Sequence, residues 1–353
     1  MLSSDSKITV RAPTNIALIK YWGKKDPVQN LPLNSSLSLS VNISQFYSQT
    51  TVSFSADNST SMILNNKPST ITKRISSVIA AIKALAKPEL SEKGIFIETF
   101  NNFPTAAGMA SSASGLAALT FALSKLFEIE AGYEALSCIA RLGSGSASRS
   151  LFGGVVEWRT ADTHSESYAF QVLPSNHWPE LRLLVIITNS KSKEVPSTDA
   201  MLIQTEQLLR RANEIVPERL ENMKAALNNR DFNTVANIMM TDSDCLHSCI
   251  NATGVNYLND VSNHLKELVS LFNSNGIKVA YTFDAGPNAW ILTQSQDVND
   301  FIRFILKSLR VTQSKVQTSA NLSDFDELQQ TASLEIESII ETSVSETGPV
   351  LIS

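Results

Sequence analysis

The stretch "FPTAAGMASSASG", residues 103–115, sets small residues, glycines and serines directly before the apolar helical run "LAALTFALSKLF". A helix N-terminus presents unpaired backbone N–H groups and about half a positive charge, so anions bind there when side chains do not block them. Gly and Ala permit close approach. Ser111, Ser112 and Ser114 add hydroxyls that can donate to phosphate oxygens or ligate a cation. The stretch lacks the Lys of a GxxxxGK[ST] loop. Two readings fit it: a phosphate cradle, or a tight packing contact made of small residues.

Three more stretches carry reactive types at close spacing. "APTNIALIKYWGKKD", residues 12–26, crowds Asn15, Lys20, Tyr21, Lys24 and Lys25 into a loop after a strand. Lys is a mobile point charge suited to phosphate, although a solvated basic turn has the same composition. Trp22 beside Gly23 argues against mere turn filler. "RLGSGSASRSLFGG", residues 141–154, offers two Gly-Ser pairs and then Arg149 between serines, a planar fork for a carboxylate or phosphate. The alternative is a flexible Ser/Gly loop. "YTFDAGPNAW", residues 281–290, places Asp284 at a strand end, where an Asp can cap a turn or face a reacting group. Eight of the 13 glycines, Gly23, Gly108, Gly115, Gly143, Gly145, Gly153, Gly154 and Gly286, fall within these four stretches. Backbone there must bend sharply or approach a ligand. By contrast, "CLHSC" puts Cys245 and Cys249 on one helical face without a second ligand pair, a poor zinc site that reads as core packing. His164, His177, His247 and His264 form no metal or triad pattern.

The elements that must hold these stretches are mixed. "KITVRAPTNIALI", "SSLSLSVNI", "QTTVSFSA" and "GIFIETFNNFP" read as strands, "ITKRISSVIAAIKALAK" as a helix stopped before Pro88, and "YEALSCIARLGSGSASRS" as a helix broken by glycines. After "NHWPE" the composition shifts. "LRLLVIITN" is a continuous apolar run, as in a strand buried on both faces. "STDAMLIQTEQLLRRANEIV", "ERLENMKAALNNRDFNTVANIMMTDSDCLHSCI" and "VNYLNDVSNHLKELVSLFNSNG" read as helices, and "KVAYTF" with "AWILT" as a hairpin around "DAGPN". A domain boundary is expected near residue 180. The tail after about residue 310 reads as partly irregular.

Bulk properties narrow the function classes. A chain of 353 residues is long for one core. Its net charge of −5 argues against nucleic acid or anionic membrane as main partner. No apolar run is long enough for a bilayer, and the N-terminus lacks a signal-peptide core. Three cysteines are too few for a disulfide framework, which points to the cytoplasm.

Together the four stretches resemble the superfamily of galactokinase, homoserine kinase, mevalonate kinase and phosphomevalonate kinase, whose phosphate loop has a P-x-x-x-G-x-x-S-S core. Within it, "APTNIALIKYWGK", "NSSLSLS", "GSGSASRSLFGG" and "DAGPNA" resemble the diphosphomevalonate decarboxylases, in order over roughly residues 8 to 293; "GPVLI" fits loosely as a closing edge strand. The resemblance implies a two-domain α+β small-molecule-kinase fold with its active site in the interdomain cleft: 1–180, an α+β domain with the phosphate-binding loop, and 181–353, an α+β, ferredoxin-like domain. It also implies ATP and Mg²⁺ as cofactors and conversion of mevalonate 5-diphosphate to isopentenyl diphosphate with loss of phosphate and CO2. Carried over by residue, Asp284, Arg149, Asn15 and Lys20 are catalytic. Ala17, Tyr21, Lys24, Ser144, Ser146, Arg149 and Met201 meet the substrate. Pro104, Ala107, Gly108, Met109, Ala110, Ser111, Ser112 and Ser114 hold ATP, with Ser112 on the metal. A homodimer is implied as well. One position departs: some members carry Arg where "STDAM" has Thr198, which leaves part of the diphosphate contact open. A sibling phosphomevalonate decarboxylase, a mevalonate 3-kinase or a non-catalytic nucleotide sensor are the competing readings.

Overall fold

The computed structural model describes residues 7–103, 111–188 and 195–353. The first half is built on two antiparallel-rich sheets. One runs in the order β19-β1-β6-β9-β7-β8, from β1 (Lys7–Pro13), β6 (Tyr47–Phe54), β7 (Ser61–Leu64), β8 (Lys67–Ser69), β9 (Ile95–Asn101) and the chain's last strand β19 (Val350–Leu351). Val10 pairs with Leu351, so the C-terminus returns to the first sheet. The second sheet, β11-β10-β5-β2, joins β2 (Asn15–Ile19), β5 (Ser36–Ser40), β10 (Val155–Trp158) and β11 (Ala169–Leu173). A small ribbon, β3 (Lys24–Asp26) with β4 (Leu31–Pro32), follows the basic loop.

Helices α1 (Lys73–Leu85), α3 (Ser111–Leu126) and α4 (Tyr133–Gly143) cover the first sheet; α2 (Pro88–Ser91) is a single turn after α1. Thr72 caps α1 by accepting the Ile75 N–H, a contact of about 1 kcal/mol. Ile8, Val10, Val52, Ile95 and Ile97 alternate along their strands and meet Val78, Ile82, Ala118, Ala122 and Ile139 from those helices. Small α3 residues let the helix lie close to the sheet, and Ala113, Ala117 and Ala118 are fully buried. After Gly143 the chain tightens into a 3-10 segment, Gly145–Leu151, as the glycine-broken pattern predicts.

The second half carries a sheet in the order β13-β14-β12-β18-β16, made of β12 (Leu181–Ile187), β13 (Val279–Phe283), β14 (Ala289–Gln294), β16 (Val316–Gln317) and β18 (Ser338–Ser343). A parallel pair, β15 (Leu309–Arg310) and β17 (Leu334–Glu335), stands beside it. The apolar run in β12 is explained by burial on both faces. Leu183, Val185 and Ile187 enter a core with α7 (Val216–Asn228) and α8 (Phe232–Asn251). Leu184 and Ile186 enter another with α9 (Asp260–Phe272), α10 (Val298–Leu306) and the turn α11 (Phe325–Leu328). The first of these cores is shared between the halves: Ile16, Leu18, Leu37, Leu39 and Phe46 pack with Leu220, Met223, Met239 and Trp290.

Two long helical patterns are interrupted. The run from Ser197 divides into α5 (Ser197–Ala200), a turn, α6 (Glu206–Arg210) and a π-helical turn, Arg211–Ile215. Thr205 restarts the helix by accepting the Leu208 N–H, and Pro217 lies just beyond the π turn, where its missing N–H cannot serve the preceding carbonyls. The next run breaks at Arg230, which is left-handed at φ 53°, before Asp231 caps α8 by accepting from Thr234. Apolar spacing continues across both breaks and conceals them. The DAGPN hairpin is present, with Phe283 opposite Ala289. Among the described residues no helix is long and apolar enough to cross a membrane.

Candidate active site

A cavity of about 650 Å³ gathers residues from all four stretches. The described residues lining it include Ala17 of β2, Lys20 and Tyr21 just after it and Lys24 at the start of β3, and Ser144, Gly145, Ser146 and Arg149 from the 3-10 segment and its cap. Ser112 comes from the first turn of α3, and Thr198, Met201 and Asp284 from the second half. Of the stretch 103–115, Pro104, Ala107, Gly108, Met109 and Ala110 lie outside the described residues, and Ser111 is placed only as the first residue of α3. Ser114 is fully buried, its hydroxyl 2.6 Å from Ser48 Oγ, so that side chain ties α3 to the sheet.

Arg149 is held in a built seat. Its Nη1 donates to Ser36 Oγ at 2.7 Å, and Nε and Nη2 donate to Asn15 Oδ1 at 3.2 and 3.1 Å. Asn15 is fixed in turn: its Nδ2 donates to Ser146 O at 2.9 Å and Ser150 Oγ at 2.8 Å. The guanidinium lies 5.6 Å from the Tyr21 ring centre, and Tyr21 packs edge-on against Trp158. Burial pushes the Tyr21 phenol above its usual range, against the pull of Arg149, so it stays a neutral donor. Gly145 is required here, because a Cβ would lie 2.6 Å from Tyr21 Oη and 2.7 Å from the Trp158 ring.

At the other wall, Lys20 Nζ meets Asp284 Oδ1 at 2.6 Å; Lys20 is 3% exposed and Asp284 30%. Burial drives the Lys20 ammonium below its ordinary pKa, and the Asp284 carboxylate opposes that shift most strongly. Asp284 therefore both turns the chain, its carbonyl accepting the Gly286 N–H at 2.7 Å, and presents a carboxylate to the cavity. Ser112 Oγ and Ser144 Oγ are 3.5 Å apart, and Ser144 Oγ and Ser146 Oγ 3.2 Å apart, forming a ladder of hydroxyls between α3 and the 3-10 segment.

Arg74 is a lining residue that the motifs do not announce. It sits in the first turn of α1, and its Nε donates to the Gly143 carbonyl. Lys73 beside it lines the cavity too, and no acidic residue stands in that turn. Two cations at a helix N-terminus oppose the helix dipole, and that mismatch is the sequence signal for an anion site. Burial, followed by the charge of Arg74, lowers the Lys24 pKa. A second, apolar chamber of about 280 Å³ adjoins, lined by Met62, Leu64, Ile97, Leu116 and Leu119 with Thr50, Thr99 and Asn101. Arg74 and Ser112 border both spaces. A cationic chamber opening at a helix N-terminus onto an apolar one suits a phosphorylated ligand with a flat base. Cys249 packs with Trp22 and Leu246 behind the cavity, while Cys245 is half-buried; the cysteines are unpaired.

Comparison with known proteins decides the family. Residues 12–169 match the model of the diphosphomevalonate decarboxylase-like N-terminal domain, and residues 183–352 that of the mevalonate 5-diphosphate decarboxylase C-terminal domain. The chain belongs to the diphosphomevalonate decarboxylase family. It is 42% identical over 313 residues to the diphosphomevalonate decarboxylase of Aspergillus fumigatus, covering 82% of this chain and 78% of that one. Its fold superposes on the mevalonate diphosphate decarboxylase of Trypanosoma brucei with a TM-score of 0.88 at 32% identity, covering 99% and 98% of the two chains. A structure described as MDDEF in complex with MVAPP, AMPPCP and magnesium matches with a TM-score of 0.80 at 30% identity, covering 98% and 99%. The two-domain α+β kinase-like fold expected from the resemblance is thus the fold of this decarboxylase-family member.

Proposed function

We propose that this chain catalyses the ATP-dependent decarboxylation of mevalonate 5-diphosphate to isopentenyl diphosphate, releasing ADP, phosphate and CO2. The observation that carries this is the cationic cavity itself: the Lys20–Asp284 pair and Arg149, which is seated on Asn15, line one space, which meets an apolar chamber at the start of α3. In this reading the adenine lies in the apolar chamber and the ATP phosphates at the start of α3. Ser112, with the loop ahead of α3, meets the phosphates and their Mg²⁺. Its hydroxyl beside that of Ser144 offers the oxygen donors a hard cation takes. Bound magnesium supplies charge neutralisation at the phosphates.

Arg149, seated by Asn15 and Ser36, holds the substrate carboxylate by two parallel hydrogen bonds and sets the C1–C2 bond for cleavage. Asp284 lies by the 3-hydroxyl, with Lys20 against it. The γ-phosphoryl passes to that hydroxyl. The C3–O bond then breaks with departure of phosphate, and the C1–C2 electron pair becomes the C2–C3 double bond as CO2 leaves. Asp284 acts on the hydroxyl proton or on positive charge growing at C3. Tyr21, Lys24, Ser144, Ser146 and Arg74 hold the diphosphate. Arg74 supplies a guanidinium to a pocket where Thr198 supplies none, which supports the diphosphate over a monophosphate. A cytoplasmic homodimer completes the proposal.

The test is an ADP-release assay with mevalonate, its 5-phosphate and its 5-diphosphate, with CO2 trapped in parallel. Equal ADP and CO2 from the diphosphate alone is the expected result. ADP without CO2 sinks the decarboxylase reading in favour of a 3-kinase. Preference for the monophosphate re-assigns the phosphate pocket.

A further inference from the structure

Lys20 leaves β2 where the pairing with β5 slips, between Ala17 and Ile19. Just beyond that bulge its main chain is gripped by charges from the second half. The Lys20 N–H donates to Asp242 Oδ2 at 2.7 Å, and Lys20 O accepts from Arg211 Nη1 and Nη2 at 3.1 Å each and from Asn34 Nδ2 at 3.0 Å. Arg211 and Asp242 also pair with each other at 2.7 Å, both about fully buried, and Arg219 Nη1 adds a third contact to Asp242 at 3.2 Å. Arg211 opens the π-helical turn, an irregularity that recurs where a side chain must be aimed. A buried ion pair contributes little net stability over a well-packed apolar substitute. This one spends its hydrogen bonds on the backbone of a single active-site residue.

We propose that Asp242 and Arg211 are positioning residues: as a buried ion pair they clamp the main chain of Lys20 and thereby hold its ammonium against Asp284. The inference rests on the functional reading above only for the reaction it serves. The clamp also acts through charge. Around Lys20 stand Asp284 from the β13–β14 turn, Asp242 and His247 from α8, Arg149 from the 3-10 segment and Arg211 from the π turn. Burial lowers the Lys20 pKa, Asp284 and then Asp242 raise it, and Arg149 lowers it.

Four variants separate position from charge. Asp242→Asn keeps an oxygen for the Lys20 N–H but removes the charge. The alkaline limb of the kcat profile should move down by about one pH unit, with KM for the diphosphate within about threefold of wild type. Arg219→Met, at a partly exposed side chain, leaves Asp242 less compensated and should move the limb up by about half a unit; it remains informative if Asp242→Asn fails to fold. Arg211→Lys keeps charge and loses the two-point grip on Lys20 O, so kcat should fall about tenfold with the limb in place. Arg303→Met, which breaks the distant pair with Asp324, should lower only thermal stability. NMR titration of the Lys20 ammonium in the ligand-free protein should give the order Asp242→Asn, wild type, Arg219→Met. That readout holds whether or not the wild type turns over mevalonate diphosphate, so a failed functional reading and a failed clamp are distinguishable. Coincident Lys20 titrations in folded Arg219→Met and wild type, or an equal shift in Arg303→Met, would overturn the inference.

Discussion

Replacing Arg149 by Lys keeps the charge and removes the fork. The guanidinium is 3% exposed and makes three hydrogen bonds, one to Ser36 Oγ and two to Asn15 Oδ1. A lysine nitrogen reaching the same depth replaces one of them, leaving about two buried contacts unmade, at about 1–3 kcal/mol for an acceptor left unsatisfied. The fold should tolerate that loss, because the surrounding Ser146 and Ser150 still hold the other end of Asn15. Catalysis should not tolerate it. A single ammonium fixes neither the plane nor the distance of a carboxylate, and a shift of about 1 Å costs about 10²-fold in rate. The expected outcome is kcat for coupled ADP and CO2 release lowered about 10²-fold, KM changed less than about tenfold, and a melting temperature lowered by a few degrees. A folded Arg149→Lys protein with turnover within about threefold of wild type would refute the role of the fork.

Asp284→Asn should lower kcat by at least about 10²-fold in the same assay, and near-normal turnover by the folded variant would remove Asp284 from the chemistry. Arg74→Met should raise KM for mevalonate 5-diphosphate about tenfold and for the 5-phosphate less; equal effects on the two would detach Arg74 from the diphosphate. Gly145→Ala brings a methyl within 2.6 Å of Tyr21 Oη and 2.7 Å of Trp158, neither of which is a flexible chain end. Its kcat/KM should fall at least about tenfold, and an unchanged value would show that the aromatic pair moves freely. His247 is buried and its pKa is lowered to about 4, by burial first, with Lys20 adding to it. Its unfolded value is about 6.5. The unfolded chain therefore binds more protons between those values, and stability complete above about pH 6.5 is lost as pH falls toward 4, by up to about 3 kcal/mol. Urea unfolding of His247→Gln should show that part of the pH dependence gone; an unchanged slope would assign it elsewhere.

The site was legible where chemistry and backbone demands coincide in one stretch. Asn15, Lys20 and Tyr21 lie within seven residues of one another, and the glycines around Arg149 mark a tight approach that the Tyr21–Trp158 contact explains. Asp284 was ambiguous for a physical reason: its backbone does turn the chain, and only the fold brings Lys20, 264 residues earlier, against its side chain. Arg74 was hidden because a basic pair in a surface helix is usual, and only its position in the first turn conflicts with the dipole. Arg211 and Asp242 are 31 residues apart on a π turn and a helix, and no local pattern predicts that they meet. The fold shows the same division. Alternation and apolar runs mark the strands. The helix break at Arg230 depends on a left-handed non-glycine residue, which carries no composition signal, and the hairpin of β7 and β8 turns on Asn65 and Asn66, both at positive φ.

The charges lining the cavity make the shared core necessary. Lys20, Lys24, Lys73, Arg74 and Arg149 face a space that contains Asp284 as its acidic wall among the described residues, in a chain whose net charge is −5. Such a concentration of cations repels itself until anions enter, and burial makes the repulsion stronger. A site of this kind stays assembled only if its walls are fixed by something other than their mutual attraction. Three devices do so here. The Arg149 seat is neutral, made of Asn15 and Ser36. Lys20 is gripped through its backbone by a pair that is itself charge-balanced at Asp242 and Arg211. Between the halves runs one apolar core, from Ile16 and Leu39 to Met239 and Trp290. Of the five cations only Lys20 meets a carboxylate inside the cavity, Asp284, and the other four leave the field free for a diphosphate, a carboxylate and the phosphates of ATP.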